Sequence, residues 1–255
     1  MAELCRKVIM RNIKIILEYD GTRYHGWQLQ GDIITVQKVL EESISKITQE
    51  DIRVIGSGRT DAGVHAINQV ANFRTNSDIE VRNLFHGINS LLPRDIVVKE
   101  LAEVGAAFHA RYDTKSKVYL YQIYNKPVRS ALYRHYAWFI HEPLDMGRMK
   151  EAALLLIGTF NFSSFCAANC GIKDHVRTVI DIDMEMNRQG MIKIFIEANG
   201  FLKYMVRNIV GTLVDVGKGK ISSLELVDIM EAKDRRRAGI TAPAHGLFLR
   251  DVKYE

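Results

Sequence analysis

Cysteine, proline and tryptophan are scarce in this 255-residue chain, which has three Cys, four Pro and two Trp. So few prolines exclude collagen-like, mucin-like and linker-rich polypeptides. No run approaches the ~20 apolar residues that a membrane-spanning helix needs, and the start, MAELCRKVIMRN, lacks the apolar stretch of ~7–15 residues found in a signal peptide. A soluble, cytosolic protein is expected. Cys5, Cys166 and Cys170 form an odd, sparse set, which argues against a disulfide framework and fits a reducing compartment. Cys166-x3-Cys170 with His175 nearby is half of a zinc site with no second ligand cluster beside it, so no metal is expected.

What is present is the composition of a globular protein, 47% hydrophobic and 25% charged, enough chain for one large domain or two smaller ones. The net charge of +5 permits a polyanionic partner without demanding one.

Alternation of apolar and polar residues predicts strands at 12–19, 69–74, 96–101, 116–124, 179–186, 191–197 and 247–252, with a short apolar pair at Val54-Ile55. Helical spacing predicts helices behind Thr35 as N-cap, over 80–92 before Pro93, at about 146–157 behind Asp145, and along the stripe from Leu202 to Val214 that Gly217 ends. Ser222-x-x-Glu225 is a capping box opening a last helix. Strands and helices interleave in both halves, so the fold class is α+β. The boundary is placed at Gly105–Asp113, giving halves at 12–110 and 111–255.

Polar chemistry concentrates in three places. Gly56-Ser57-Gly58-Arg59-Thr60-Asp61-Ala62-Gly63-Val64-His65-Ala66 is a loop whose glycines allow a tight path and expose the side chains between them; Arg59, Asp61 and His65 are its informative members. The bland alternative for Asp61 is an Asx-turn. Tyr19 to Gln30, which includes Arg23 and His25, alternates aromatics, amides and cations, as a nucleic-acid surface does or as a turn with an aromatic minicore does. Phe108-His109-Ala110-Arg111 leads into Lys115, Lys117, Tyr119 and Tyr121 on alternate positions, a basic and aromatic strand face.

The segments YDGTRYHGWQLQ, SGRTDAGVHA, FHARYDTKSKVYLYQIYN, NGFLKYMVRNIVGTL and APAHGLFLRDV, in this order from about residue 12 to 254, resemble the tRNA pseudouridine synthases of the TruA type. The resemblance implies two RRM-like (ferredoxin-like) halves around a central, mostly antiparallel sheet with helices on one side, an active-site cleft between the halves, and a homodimer that grips one tRNA. It implies that uridines of the anticodon stem-loop, at positions 38 to 40, are isomerised to pseudouridine without cofactor or metal. Asp61 becomes the nucleophile, Tyr119 the ring that stacks on the target uracil, Arg207 the partner of Asp61, Leu247 a pocket wall, and Arg59 the side chain that enters the RNA as the base flips. Arg23, His25, Arg111 and Lys117 are expected to contact the RNA. Helical spacing places Arg207 beside the apolar stripe, where a guanidinium can project past apolar surface. Addition of Asp61 to C6, attack on C1′ and assisted elimination all remain open. The rivals are a noncatalytic RNA-binding protein and a glycosidase that releases free base.

Overall fold

The computed structural model describes residues 10–168 and 171–255. Its elements in chain order are β1 (Arg11–Tyr19), α1 (Val36–Thr48), β2 (Val54–Gly56), β3 (His65–Thr75), α2 (Val81–Leu91), β4 (Ile96–Val104), β5 (Ser116–Asn125), β6 (Trp138–Ile140), α3 (Met146–Leu154), β7 (Gly158–Asn161), β8 (Val176–Met186), β9 (Met191–Ala198), α4 (Met205–Gly217), α5 (Ser223–Ala232) and β10 (Leu247–Lys253). The three predicted caps are made: Thr35 Oγ1 accepts from the Lys38 amide, Asp145 Oδ1 from that of Arg148, and Ser222 and Glu225 form the reciprocal box, whereas α2 and α4 start without a side-chain cap. β3 begins at His65, inside the stretch read as loop. β6 and β7, of three and four residues, are too short to show alternation and were not anticipated.

All ten strands join one sheet in the order β4-β1-β3-β10-β5-β9-β8-β7, with β2 on β3 and β6 on β5. Pairing is antiparallel except β10 with β3 and β5 with β6, so the α+β class holds with a mixed, mostly antiparallel sheet. The last strand of the chain is thus the bridge between the strands before residue 105 and those after 115. Its bond to β3 is short, pairing Phe248 with His65 and Leu249 with Ala66. The Gly105–Asp113 connection is anchored to that sheet: Asn12 Nδ2 donates to the carbonyls of Gly105 and Phe108, and the Ala110 amide donates to Asn72 Oδ1.

Register fixes what faces the core. Across β9, β5 and β10 the rows read Ile194–Tyr121–Leu247, Ile196–Tyr119–Leu249 and Ala198–Lys117–Val252. Every member except Lys117 is buried, and each large apolar side chain removed from water contributes ~1.5–3 kcal/mol.

α4 is held by a strap, residues 238–243, that crosses it backbone to backbone. The buried Asn208 side chain accepts from Thr241 Oγ1 and Arg235 Nη2 and donates to the Phe165 carbonyl. Thr212 Oγ1 accepts from the Gly239 amide, and the Ala242 amide donates to the Arg207 carbonyl. A Cβ on Gly211 would stand 1.7 Å from the Ile240 carbonyl oxygen. Gly211→Ala is therefore expected to cost ~3 kcal/mol, the upper end of overpacking, with denaturant titration as the measurement. An unchanged midpoint would mean that the strap yields freely.

Candidate active site

The loop that carries Asp61 is shaped by close backbone contact with residues 20–28. A Cβ on Gly21 would lie 1.9 Å from the Val64 carbonyl oxygen, and one on Gly26, at φ 85°, 2.4 Å from that of Thr60. The Trp27 amide donates to the Thr60 carbonyl and the Gly63 amide to that of Tyr24. Only glycine permits this approach. Tyr24 and Trp27 are buried, and the Trp27 ring lies against Gly56. The aromatic minicore is present, and Tyr24 and Trp27 support the Asp61 loop, while Arg23 and His25 of the same stretch stay exposed. From below, Tyr19 Oη and Thr60 Oγ1 share a hydrogen bond at 2.8 Å, Ser57 Oγ donates to Gln69 Oε1, and Gln69 Nε2 donates to the Gly58 carbonyl.

His65 closes the loop against two distant segments. Its Nδ1 accepts from the Gly21 amide, so Nε2 carries the proton and donates to the carbonyls of His135 (3.0 Å) and His245 (3.2 Å). The ring stacks on Phe248, and burial holds its pKa below the ordinary value, consistent with that neutral tautomer. Its partners make His65 a scaffold of this loop.

Asp61 makes no Asx-turn among the described bonds. Its Oδ2 instead meets Arg207 Nη1 at 3.4 Å, joining side chains 146 positions apart. Arg207 sits in the first turn of α4, behind Tyr204, which adopts the left-handed conformation at φ 65°. This backbone reversal starts the helix at Met205 rather than at Leu202. Arg207 Nε donates to the Ala242 carbonyl at 2.7 Å, and its guanidinium lies over the Tyr204 ring, 4.7 Å from the centroid. The fork is therefore shared between strap and carboxylate.

That sharing shows in the electrostatics. Burial pushes the Asp61 carboxyl above its ordinary range; Arg207 first, and Lys203 more weakly, pull it back without cancelling the rise. Arg207 thus offsets the effect of burial only in part. A carboxylate with a raised pKa, paired at one oxygen and still 28% exposed, has the chemistry that a nucleophile or a base requires.

Tyr119 is buried in the row beside Leu249, edge-on to Phe201 at 4.9 Å, and its hydroxyl pKa is raised by burial and by the charges of Tyr19 and Asp61. Leu247 pairs with Tyr121, whose hydroxyl donates to the Pro243 carbonyl. Arg59 and His25 are exposed. Arg111 is exposed too, over the Tyr112 ring. Arg23 is engaged by an acid: its Nε and Nη2 both donate to Asp95 Oδ2. Sequence reasoning missed Tyr204, the Ala242 carbonyl and Phe201. Of these, only the two aromatics had a signal, their place in the segment NGFLKYMVRN.

Among the described residues no group of three or more His, Cys, Asp or Glu could hold a metal. Cys170, one end of the expected half-site, lies outside the described residues, as does Cys5. Cys166 is buried and disulfide-bonded, which corrects the reading of a wholly reduced set; an odd count bears on a framework of bridges, not on a single one. No helix among the described residues is long and apolar enough to cross a membrane.

The family described as tRNA pseudouridine synthase matches residues 15–113 and 152–255. tRNA pseudouridine synthase A of Thermoanaerobacter sp. (strain X514) is 51% identical over 245 residues, covering 96% of this chain and 100% of that protein. tRNA pseudouridine synthase A of Acetivibrio thermocellus is 48% identical with the same coverage of both chains, so the interval with Lys117 and Tyr119 is spanned as well. A chain in the crystal structure of a Cbf5-Nop10-Gar1 complex aligns at a TM-score of 0.36 and 9% identity over 79% of this chain and 54% of its own, too slight a likeness to carry an argument. With the family pattern on both sides of the β10 bridge and relatives identical at about half of all positions, the chain belongs to the tRNA pseudouridine synthases, enzymes that isomerise uridine to pseudouridine in tRNA.

Proposed function

We propose that Asp61 is the nucleophile of this isomerisation, that Arg207 keeps it ionised, and that Tyr119 stacks on the target uracil in the anticodon stem-loop. The observation that carries this reading is the meeting of Asp61 and Arg207 across 146 positions, with Tyr119 close enough to feel the Asp61 charge. The reaction breaks N1–C1′, turns the uracil and joins C5 to C1′; C5 gives up its hydrogen and N1 gains one. Atoms and electrons balance within the nucleoside and water, so the rearrangement requires no redox partner or ATP. Reaching the ring means flipping it from its stack at a cost of a few kcal/mol. Stacking on an aromatic recovers ~1–3 kcal/mol, the part given to Tyr119. Leu247 walls the pocket, Arg59 takes the vacated space, and Arg23, His25, Arg111 and Lys117 hold the backbone.

In this reading residues 12–110 supply the Asp61 loop, residues 111–255 supply Tyr119, Arg207 and Leu247, and the working form is a cytoplasmic homodimer. Site-resolved mapping of pseudouridine after incubation with unmodified tRNA transcripts tests the substrate assignment. Modification confined to positions 38 to 40 is expected, whereas modification only in other arms would overturn it.

A further inference from the structure

Lys117 stands in the inner row of the sheet between Ala198 and Val252, both buried, where its neighbours one and two rows on are all apolar or aromatic. From that row the end of its side chain, Cδ to Nζ, comes up to Gly58 of the Asp61 loop. A Cβ built on Gly58 would be 3.2 Å from Lys117 Cε and 3.5 Å from Nζ. The end of the Lys117 side chain therefore lies beside Gly58, the residue just before Arg59 and three before Asp61. Gly58 leaves room for it; a Cβ there would press on Lys117 Cε and push it by a few tenths of an ångström.

The carboxylates around Lys117 are engaged elsewhere. Asp61 faces Arg207. Glu197, on the neighbouring strand, accepts from Lys253 and Ser116. Asp113 accepts from the His109 amide. Asp251 accepts from the Val252 amide and lines the opposite face of the sheet. The remaining charged groups of the adjoining segments are Arg59, Arg111, Lys115, Lys193 and Arg250, all cations. Among the described residues Lys117 has no ion pair. A half-buried cation with cationic neighbours and no counter-charge is unfavourable unless an anion arrives from outside.

We propose that Lys117, backed by Arg111, is the seat of an RNA phosphodiester next to the flipped uridine, so that the loop bearing Asp61 and the strand bearing Tyr119 close on one phosphate. This deepens the proposed function and rests on its placement of the target nucleotide between Asp61 and Tyr119. A phosphate at Gly58 would sit next to Arg59, at the start of the loop that carries Asp61, where the strand must be held while its base leaves the stack. It also explains why a lysine occupies an apolar row: the long stem satisfies the row and the head reaches the loop.

Burial, and then the charge of Arg111, lower the Lys117 pKa to about 8. A bound phosphate favours the charged form and raises it, so tRNA binding takes up a proton above that pH. The test is tRNA affinity between pH 7 and 9, at several salt concentrations, with a tRNA transcript and Asp61→Asn protein to prevent turnover. Affinity is expected to fall above pH 8 by up to tenfold per pH unit. Lys117→Arg, which stays charged throughout, should bind well with a flat pH profile. Lys117→Met should bind more weakly with a flat profile, and its slope of log K against log salt should be shallower by about 0.9, one phosphate's share. A purely structural lysine would move neither slope nor profile. Titration of the RNA itself would appear in all three proteins alike. A pH-independent affinity in the parent protein together with an unchanged salt slope in Lys117→Met would overturn the assignment. Failure of the underlying reading would show separately, as pseudouridine formation that survives Asp61→Asn.

Discussion

Asp61→Asn is expected to reduce pseudouridine formation to below one percent of the parent rate while tRNA affinity stays within a few fold. The amide fills the same space and can still meet Arg207, but it cannot act as a nucleophile on C6 or C1′, nor as the carboxylate that assists elimination. The contacts given to the RNA backbone lie on other side chains. Stability should not fall. Burial raises the folded-state pKa above the ordinary 3.8, so the fold prefers the protonated form. Stability from that preference is present below the unfolded value and lost as pH rises through the folded one. At neutral pH the ionised carboxylate is a cost that asparagine removes, and a melting temperature equal to or above the parent's is expected. Single-turnover assays and thermal melts of the same preparation check both halves; residual turnover above one percent would remove Asp61 from the chemistry.

Arg207→Met carries the second large effect. The guanidinium offers one hydrogen bond to Asp61 at 3.4 Å and one to the Ala242 carbonyl at 2.7 Å, so methionine leaves both a carboxylate and a strap carbonyl without their donor. Breaking a fully buried pair costs ~3–5 kcal/mol. This pair is long and partly exposed, which lowers the expected loss to ~1–3 kcal/mol. The Asp61 pKa should rise further, so turnover at neutral pH should collapse and recover in part as pH is raised through the new value. Arg207→Lys keeps the charge but cannot hold Ala242 and Asp61 with separate nitrogens, and should fall between. Combining Arg207→Met with Asp61→Asn should give a protein more stable than Arg207→Met alone, because no unpaired carboxylate remains. Strict additivity of the two stability changes would show that the side chains do not interact.

The parts of this fold that local chemistry dictates were legible in the sequence. Alternation from Asn12 to Tyr19, the caps at Thr35, Asp145 and Ser222, and the stripe on α4 each depend on residues within a turn or two. The place of β10 was not, since alternation in Leu247–Val252 marks a strand without naming its neighbours, and those neighbours, β3 and β5, are more than a hundred residues away in sequence. The same limit applies at the site. The glycine-rich loop stood out by its composition, whereas helical spacing placed Arg207 only at the flank of a buried face; its pairing with Asp61 came from the resemblance. Tyr19–Gln30 was ambiguous because aromatics serve RNA and cores alike, and the close backbone approaches at Gly21 and Gly26 are tertiary facts. The alternating face of Lys117, Tyr119 and Tyr121 was visible, but whether it was the buried one was not.

Release of tritium from tRNA labelled at uridine C5 tests the central claim most directly, because C5 loses its hydrogen only when it becomes the glycosidic carbon. With tRNA saturating both proteins, the parent enzyme should release C5 tritium to water in step with pseudouridine formed, with no free uracil, and Asp61→Asn should release none above background. Free uracil from the parent, or tritium release by Asp61→Asn at a rate near the parent's, would contradict the account.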